Sequence, residues 1–342
     1  MTSPPLRLGV VYDLRNPASS GIETTRLYAE ILDQVAWLDQ LGLDLVWFTE
    51  HHFVDDGYLP SWIPVASAMS ARTRRVRFSS DICLLPFNHP VRLAEDLAVL
   101  DNLSGGRVEI GIGMGYAPHE FRGFGIPLPQ RLSRTEEGLE ILRRCFDGER
   151  FSFHGKRYDL DDVVIRPGYV QPGGPPLWLA AMSRNGAERA ARFDCHLLPQ
   201  GPREEVLDPW REALTTSGRN PDAYRVGIIR GCFVTDDRER DWPVVRAAER
   251  YRGEIYTRFF AEAGRHGSWY RDEARIPQTW VVGDVEHCTA ELTRFIAQHG
   301  ITDLVTWAVP PGLRPERVNR SLERFAREVA PRLKAARAGG ST

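Results

Sequence analysis

Glu50, His51 and His52 stand at the end of a short apolar run, Leu45-Val46-Trp47-Phe48. An imidazole that titrates near pH ~6.5 can take or hold a proton at neutral pH. On a strand, Glu50 and His52 face one way and His51 the other. The two histidines are therefore separated, no third ligand is evident, and no metal is expected. His51 is the candidate general base, with a solvated loop as the alternative. Three other stretches combine small or polar residues with apolar runs. Ser79-Ser80-Asp81-Ile82-Cys83-Leu84-Leu85-Pro86 interrupts a strand, leaving room for a flat ligand or marking a bulge. Gly111-Ile112-Gly113-Met114-Gly115 strips one strand face of side chains, for a planar cofactor or for tight packing. Met182-Ser183-Arg184-Asn185-Gly186 opens a helix, as a phosphate-binding turn or an ordinary cap through Asn185 and Glu188.

The elements that must carry these groups follow from periodicity. Strands are expected over Leu6–Val11, Asp44–Phe48, Val76–Leu85, Val108–Gly113, Pro176–Ala181, Cys195–Leu198, Arg225–Val234 and Asp303–Val309. Ile31, Val35, Leu38 and Leu41 have helical spacing, and Gly42 supplies the cap. Further helices are read at 61–73, from Pro90 to Leu100, from Arg131, after Ala181, from Arg203, from Val285 and from Pro315. This alternation predicts a (β/α)8 TIM barrel with insertions, in which chemistry sits at the carboxyl ends of the strands. The open doubly wound sheet is disfavoured because no glycine-rich fingerprint follows the first strand. One domain is expected over residues 1–333, with insertions near 148–175 and 236–278 and a disordered tail at 334–342.

The chain of 342 residues carries a formal net charge of −2, which gives no electrostatic case for nucleic acid or an anionic membrane. No transmembrane stretch or signal-peptide pattern is read. The five cysteines are scattered without a CxxC pair. A reduced, cytoplasmic protein is the expectation.

Several motifs recur together between Glu50 and Gly125: Glu-His-His-Phe at 50–53, Leu-Pro-x-x-His-Pro-Val-Arg at 85–92, Glu95-Asp96, Gly106-Arg107, Gly-Ile-x-x-Gly at 111–115, and Phe121-Arg122-x-Phe124-Gly125. In this order and spacing they resemble the bacterial luciferase family of flavin-dependent monooxygenases, closest to its FMN-using catalytic subunit. The resemblance implies a barrel that binds FMN. It matches His51 to the catalytic histidine and places Asp81-Ile82 where the family has a non-prolyl cis peptide beside the isoalloxazine. Ser183, with the backbone of Met182 and Gly186, matches the phosphate turn. Arg131 or Arg134 is implied as a phosphate partner, and residues 250–278 correspond to a mobile lid. Two positions depart from the pattern. Met114 replaces a phosphate-binding arginine, and Gly113 replaces a cysteine near the flavin.

The implied activity is a two-component monooxygenase. A separate flavin reductase supplies reduced FMN, O2 adds to give a C4a-peroxyflavin, and a small organic substrate is oxygenated. Trp47, Tyr58, Trp62, Phe87, Tyr116 and Trp269 are candidates for an apolar substrate pocket, with burial in the core as the alternative. A homodimer is implied by the family. The alternatives are an F420-dependent oxidoreductase transferring hydride on the same fold, a non-catalytic flavin-binding protein, and a metal hydrolase.

Overall fold

Alternation along short strands sorts the apolar residues into two layers. In the computed structural model, which describes residues 3–200, 203–264 and 279–339, Val11, Leu45, Trp47, Trp178, Leu198 and Val305 pack on one another inside a ring of strands. Their neighbours Val10, Val46, Phe48, Phe78, Ile110, Ile112, Leu179 and Leu197 point outward and are covered by helices.

The first part of the chain runs β1 (Arg7–Tyr12), α1 (Thr24–Leu41), β2 (Leu45–Phe48), α2 (Trp62–Ser70), β3 (Arg77–Ser80), β4 (Cys83–Leu84), α3 (Pro90–Ser104) and β5 (Ile110–Gly113). Then come α4 (Pro118–Gly123), α5 (Arg131–Asp147), β6 (Phe151–His154), β7 (Asp159–Val163), β8 (Leu177–Ala181), α6 (Arg184–Arg192), β9 (His196–Pro199) and α7 (Arg203–Thr216). The chain ends with β10 (Gly227–Ile229), β11 (Gly231–Val234), α8 (Arg238–Glu262), β12 (Trp280–Gly283), α9 (Val285–His299), β13 (Asp303–Trp307), α10 (Asn319–Arg324) and α11 (Ala330–Gly339).

All the ring strands are parallel. One sheet has the order β10-β13-β1-β2-β3 and another β4-β5-β8-β9. Single bridges, Phe78 to Val108 and Leu197 to Val226, join the two sheets and close the ring. This is the (β/α)8 TIM barrel that the alternation of elements predicts. An ion cluster lies at the amino ends of the strands. Arg7 bonds Glu109 and Asp303, Arg77 bonds Glu109, Arg225 bonds Asp303, and Trp178 donates to Glu109 at 2.9 Å.

Three details differ from the sequence reading. The run 225–234 breaks at Arg230: β10 stays in the ring beside β13, while β11 pairs with β12, a strand that the sequence reading does not include. The insertion expected near 236–278, for which no helix is read, contains the long helix α8, and residues 265–278 lie outside the described residues. The last helix continues to Gly339 instead of giving way to a tail after Leu333. The insertion near 148–175 holds the antiparallel pair β6–β7. No helix among the described residues is long and apolar enough to cross a membrane.

Candidate active site

With Trp47 turned inward, the period of two turns Thr49 and His51 inward as well, and Glu50 and His52 outward. Glu50 accepts from Leu84 N–H at 3.2 Å and lies 3.1 Å from His52 Nε2, tying the end of β2 to β4. His51, 6 % exposed, places its Nδ1 2.8 Å from Oε1 of Glu120, a buried residue of α4. The same oxygen accepts the backbone N–H of His52 at 2.9 Å. A carboxylate oxygen there only accepts, so Nδ1 carries hydrogen and Nε2 becomes the basic nitrogen. Nε2 makes no hydrogen bond among the described residues.

Aromatic rings surround this imidazole. Their centroids lie 4.8 Å (Tyr58), 6.0 Å (Tyr116), 5.7 Å (Tyr256) and 5.0 Å (Phe259) away. Tyr256 and Phe259 come from α8, and Tyr116 stacks on Phe260 of that helix at 4.6 Å. Buried ion pairs seat α8 on the barrel. Arg252 bonds Asp13 at 3.0 Å and also Glu249, and its guanidinium lies 3.6 Å from the centre of the Trp307 ring. Tyr251 donates to Asp56 at 3.0 Å, and Asp56 is paired with the buried Arg15 at 2.6 Å. Glu262 holds His119 and Arg122 of α4, each at 2.7 Å.

The Asp81–Ile82 peptide is cis. Asp81 accepts from Gln200 at 2.8 Å through one carboxylate oxygen, and the other is buried without a partner among the described residues. Burial pushes this carboxyl up to about 7, against the opposing hydrogen bond from Gln200. Beyond the packed interior, Ile82, Ala180, Ile229 and Trp307 are only partly covered, so the barrel ends in a cup with an apolar floor. The bare strand face at Gly111 and Gly113 serves packing. A Cβ on Gly113 would sit 1.7 Å from Ile82 Cδ1, and one on Gly111 would sit 2.0 Å from the Ser80 carbonyl oxygen. Ile82 therefore occupies the space that the missing Gly113 side chain leaves.

Ser183 caps α6 and accepts from Gly186 N–H at 3.4 Å, while Met182 is 41 % exposed beside it. As at any helix start, the first N–H groups lack intrahelical partners. Asn185, the alternative cap, lies inside the helix. Glu136 of α5 binds Arg189 of α6 at 2.8 Å and sets the two helices side by side. Arg131, at the start of α5, makes no side-chain hydrogen bond or ion pair among the described residues. Arg134 is engaged with Gln130 at 3.3 Å and with the Tyr158 ring. Met114 is half-buried just past β5.

The carboxyl ends of the strands thus gather His51, Asp81, Ile82, Gly113, Met114 and the turn Met182–Gly186 on one face. Among the aromatic candidates, Tyr58 and Tyr116 border His51, and Trp47 forms part of the floor. Trp62 instead stacks on the outward Phe48, in the helix layer, and Phe87 packs with Phe121 and Phe124. Trp269 lies outside the described residues. Sequence reasoning missed Glu120, Tyr256 and the buried arginines. The partly apolar cup and the capped helix end suit a planar ring with an anionic tail, and the unpartnered Asp81 oxygen offers such a ring a polar contact.

A model of the luciferase-like monooxygenase family matches residues 7–303. The 4-hydroxyprotoasukamycin monooxygenase of Streptomyces nodosus subsp. asukaensis is 28% identical over 88% of this chain and 85% of its own. The oxygenase component of a flavin-dependent trigonelline monooxygenase from Acinetobacter baylyi is 23% identical over 90% of each chain. An F420-dependent glucose-6-phosphate dehydrogenase of Kineococcus radiotolerans is 27% identical over 89% of this chain and 93% of its own. Among solved structures, monooxygenase RslO1 from Streptomyces bottropensis superposes with a TM-score of 0.81 at 26% identity, covering 95% of this chain and 99% of that one. The oxygenating constituent of 3,6-diketocamphane monooxygenase from Pseudomonas putida, in complex with FMN, shares the fold with a TM-score of 0.78 at 19% identity, over 96% of this chain and 98% of that one.

Proposed function

The chain belongs to the luciferase-like monooxygenase family, and from that premise we propose that it is the oxygenase component of a two-component system, binding reduced FMN from a separate reductase and using O2 to oxygenate a small organic substrate. When bound, reduced FMN supplies the electrons that activate oxygen. The chain's own residues bind, orient and hold protons. The His51–Glu120 pair carries the reading: a carboxylate on Nδ1 leaves Nε2 as a base or hydrogen-bond acceptor facing the cup. Ile82 and the half-covered Ala180, Ile229 and Trp307 would back the ring, with the Asp81 carboxyl and the strand end at Gly113 beside it. Ser183 and the backbone of Met182 and Gly186 would hold the phosphate. With no guanidinium at Met114, Arg131 is the better placed of the two candidate arginines, because Arg134 is already engaged. Tyr256, Phe259 and Phe260 of α8 exclude water from the cup, which protects reactive intermediates.

The second reading, hydride transfer with F420 on the same fold, is favoured by the F420-dependent relative. Anaerobic titration with reduced FMN and with F420, followed by admission of oxygen, separates the two. The expected outcome is tighter binding of reduced FMN and oxygen uptake. A His51→Gln variant should keep the binding and lose about 100-fold or more of the substrate-coupled rate. Preferential F420 binding without oxygen uptake would move the protein to the hydride reading.

A further inference from the structure

Asp81 and Gln200 meet across the mouth of the barrel. Phe78 of β3 points outward, so the period of two turns Asp81 inward. Leu198 of β9 points inward, and so does Gln200 two residues later. Around the ring, β5 and β8 stand between β3 and β9. The 2.8 Å bond from Gln200 Nε2 to Asp81 Oδ1 therefore runs over the floor of the cup, above Trp47, Trp178 and Leu198.

That bond uses one oxygen only. The second, on a residue 7 % exposed, is buried and meets no donor among the described residues. An ionised carboxylate in such a place lacks both solvent and donors, so the neutral form is favoured. Burial accordingly pushes the carboxyl up to about 7. A neutral carboxyl has one hydrogen to give. Gln200 already donates to Oδ1, so the hydrogen belongs on Oδ2, and the unpartnered atom becomes a donor.

The groups on the neighbouring elements are otherwise engaged. On the inner face, β1 leads to Asp13, paired with Arg252 at 3.0 Å, and β2 leads to His51, bonded to Glu120. Glu50 and His52 turn outward, as does Cys83 of β4, whose thiol is pushed up by burial and then by Glu50. The ends of β5 and β8 bring Gly113 and Ala181, which do not titrate. Arg230, after β10, lies 4.7 Å from the centre of the Phe295 ring. None of these forms an ion pair with Asp81 among the described residues.

We propose that Asp81 is a hydrogen-bond donor to the bound ring: its neutral carboxyl gives its hydrogen to a carbonyl oxygen or an anionic nitrogen of a planar heterocycle, and the chain lets go of that ring as the acid ionises. The inference rests on the cofactor reading for the identity of the ring, and adds to it a donor and a pH dependence. The sign is fixed by the chemistry. An acceptor placed against Oδ2 favours the protonated acid further, so binding takes up a proton and weakens as pH rises through neutrality.

Anaerobic titration of the full chain with reduced FMN and with F420, at pH 6 and pH 8.5, tests it in the wild type and in Asp81→Asn. The asparagine accepts from Gln200 through its oxygen and donates through its amide, so it imitates the neutral acid at every pH. Each ligand titrates on its own account, but the ratio of the two proteins' affinities cancels that effect. The wild type should match Asp81→Asn at pH 6 and fall behind it by about tenfold or more at pH 8.5, as the protonated fraction shrinks. Calorimetry in two buffers of different ionisation enthalpy should show more proton uptake on binding by the wild type than by Asp81→Asn. Asp81→Ala, which has no donor, stands as the second variant: it should bind less tightly than the wild type at pH 6 and lose that deficit at pH 8.5. A ratio that stays level or rises with pH, for a ligand that binds, sinks this inference alone. A falling ratio for F420 without binding of reduced FMN sinks only the choice of FMN. Binding of neither ligand at either pH overturns both.

Discussion

The Asp81 carboxyl is an acid kept where charge is costly. Its ordinary value of 3.8 is pushed up to about 7 by burial, so between those values the folded chain holds a proton that the unfolded chain releases. The sign follows directly. This group favours folding at acid pH, and its contribution is lost as pH rises from about 4 through about 7. Asp81→Asn keeps an acceptor for Gln200 and removes the titration. At pH 8 it should be more stable than the wild type by about 1–2 kcal/mol, seen as a Tm higher by roughly 2–5 °C, and the gap should close toward pH 4. Thermal melts across that range check it; a constant gap would count against the buried acid. His51 was legible from the sequence because β-prone residues stop abruptly at a polar cluster. Its partner Glu120 was not legible. The two are 69 residues apart, and only the return of the chain through β5 into α4 brings them together.

At the scale of elements, α8 is the piece that completes the site, and buried charges seat it rather than apolar contact alone. Removing one member of such a network strands the others in a dry place. Arg252→Ala leaves Asp13 and Glu249 facing each other without their guanidinium, and should cost about 3–5 kcal/mol in urea unfolding. Adding Asp13→Asn and Glu249→Gln should recover part of that loss, since no charge is then left unpaired. Failure of the triple variant to recover any stability would show that packing of Arg252 on Trp307 dominates. The charged composition of residues 236–262 hid this helix from periodicity, because its buried face mixes Glu249 and Arg252 with Val245, Ile255 and Phe259. The break at Arg230 was hidden for the opposite reason: β-prone residues continue on both sides of it, and only the change of pairing partner marks it.

At the scale of the whole molecule, the ring is weakest where single bridges join its two sheets. The ion cluster crosses one of these seams and extends to the edge of the other. Glu109 takes Arg77 across the β3–β5 seam, while Arg225 pairs with Asp303 within the first sheet. Burial alone would raise the Glu109 carboxyl, but Arg7 and then Arg77 overcome it and hold it well below the usual range. Its stabilising effect is therefore present at neutral pH and is lost as pH falls below the ordinary glutamate value. Glu109→Gln should destabilise the barrel by about 2–4 kcal/mol at pH 7. Chemical unfolding repeated at acid pH should show the penalty shrinking; an unchanged penalty would assign it to lost packing. The barrel class was legible because eight β-prone runs alternate with helical spacing. The cluster was not, since its bonded members lie from 32 to 296 positions apart along the chain. The pairing of β11 with β12 has a further consequence. The excursion that carries α8 leaves β11 at Val234 and returns to β12 at Trp280, which pairs with Gly231 at the opposite end of the same short ladder. Both of its ends are anchored in this one two-stranded sheet, so lengthening the span between them costs only about 0.6 kcal/mol per doubling. This makes the excursion an exchangeable cassette: lineages can rewrite the rings that α8 lays beside His51 while the scaffold beneath them stays the same.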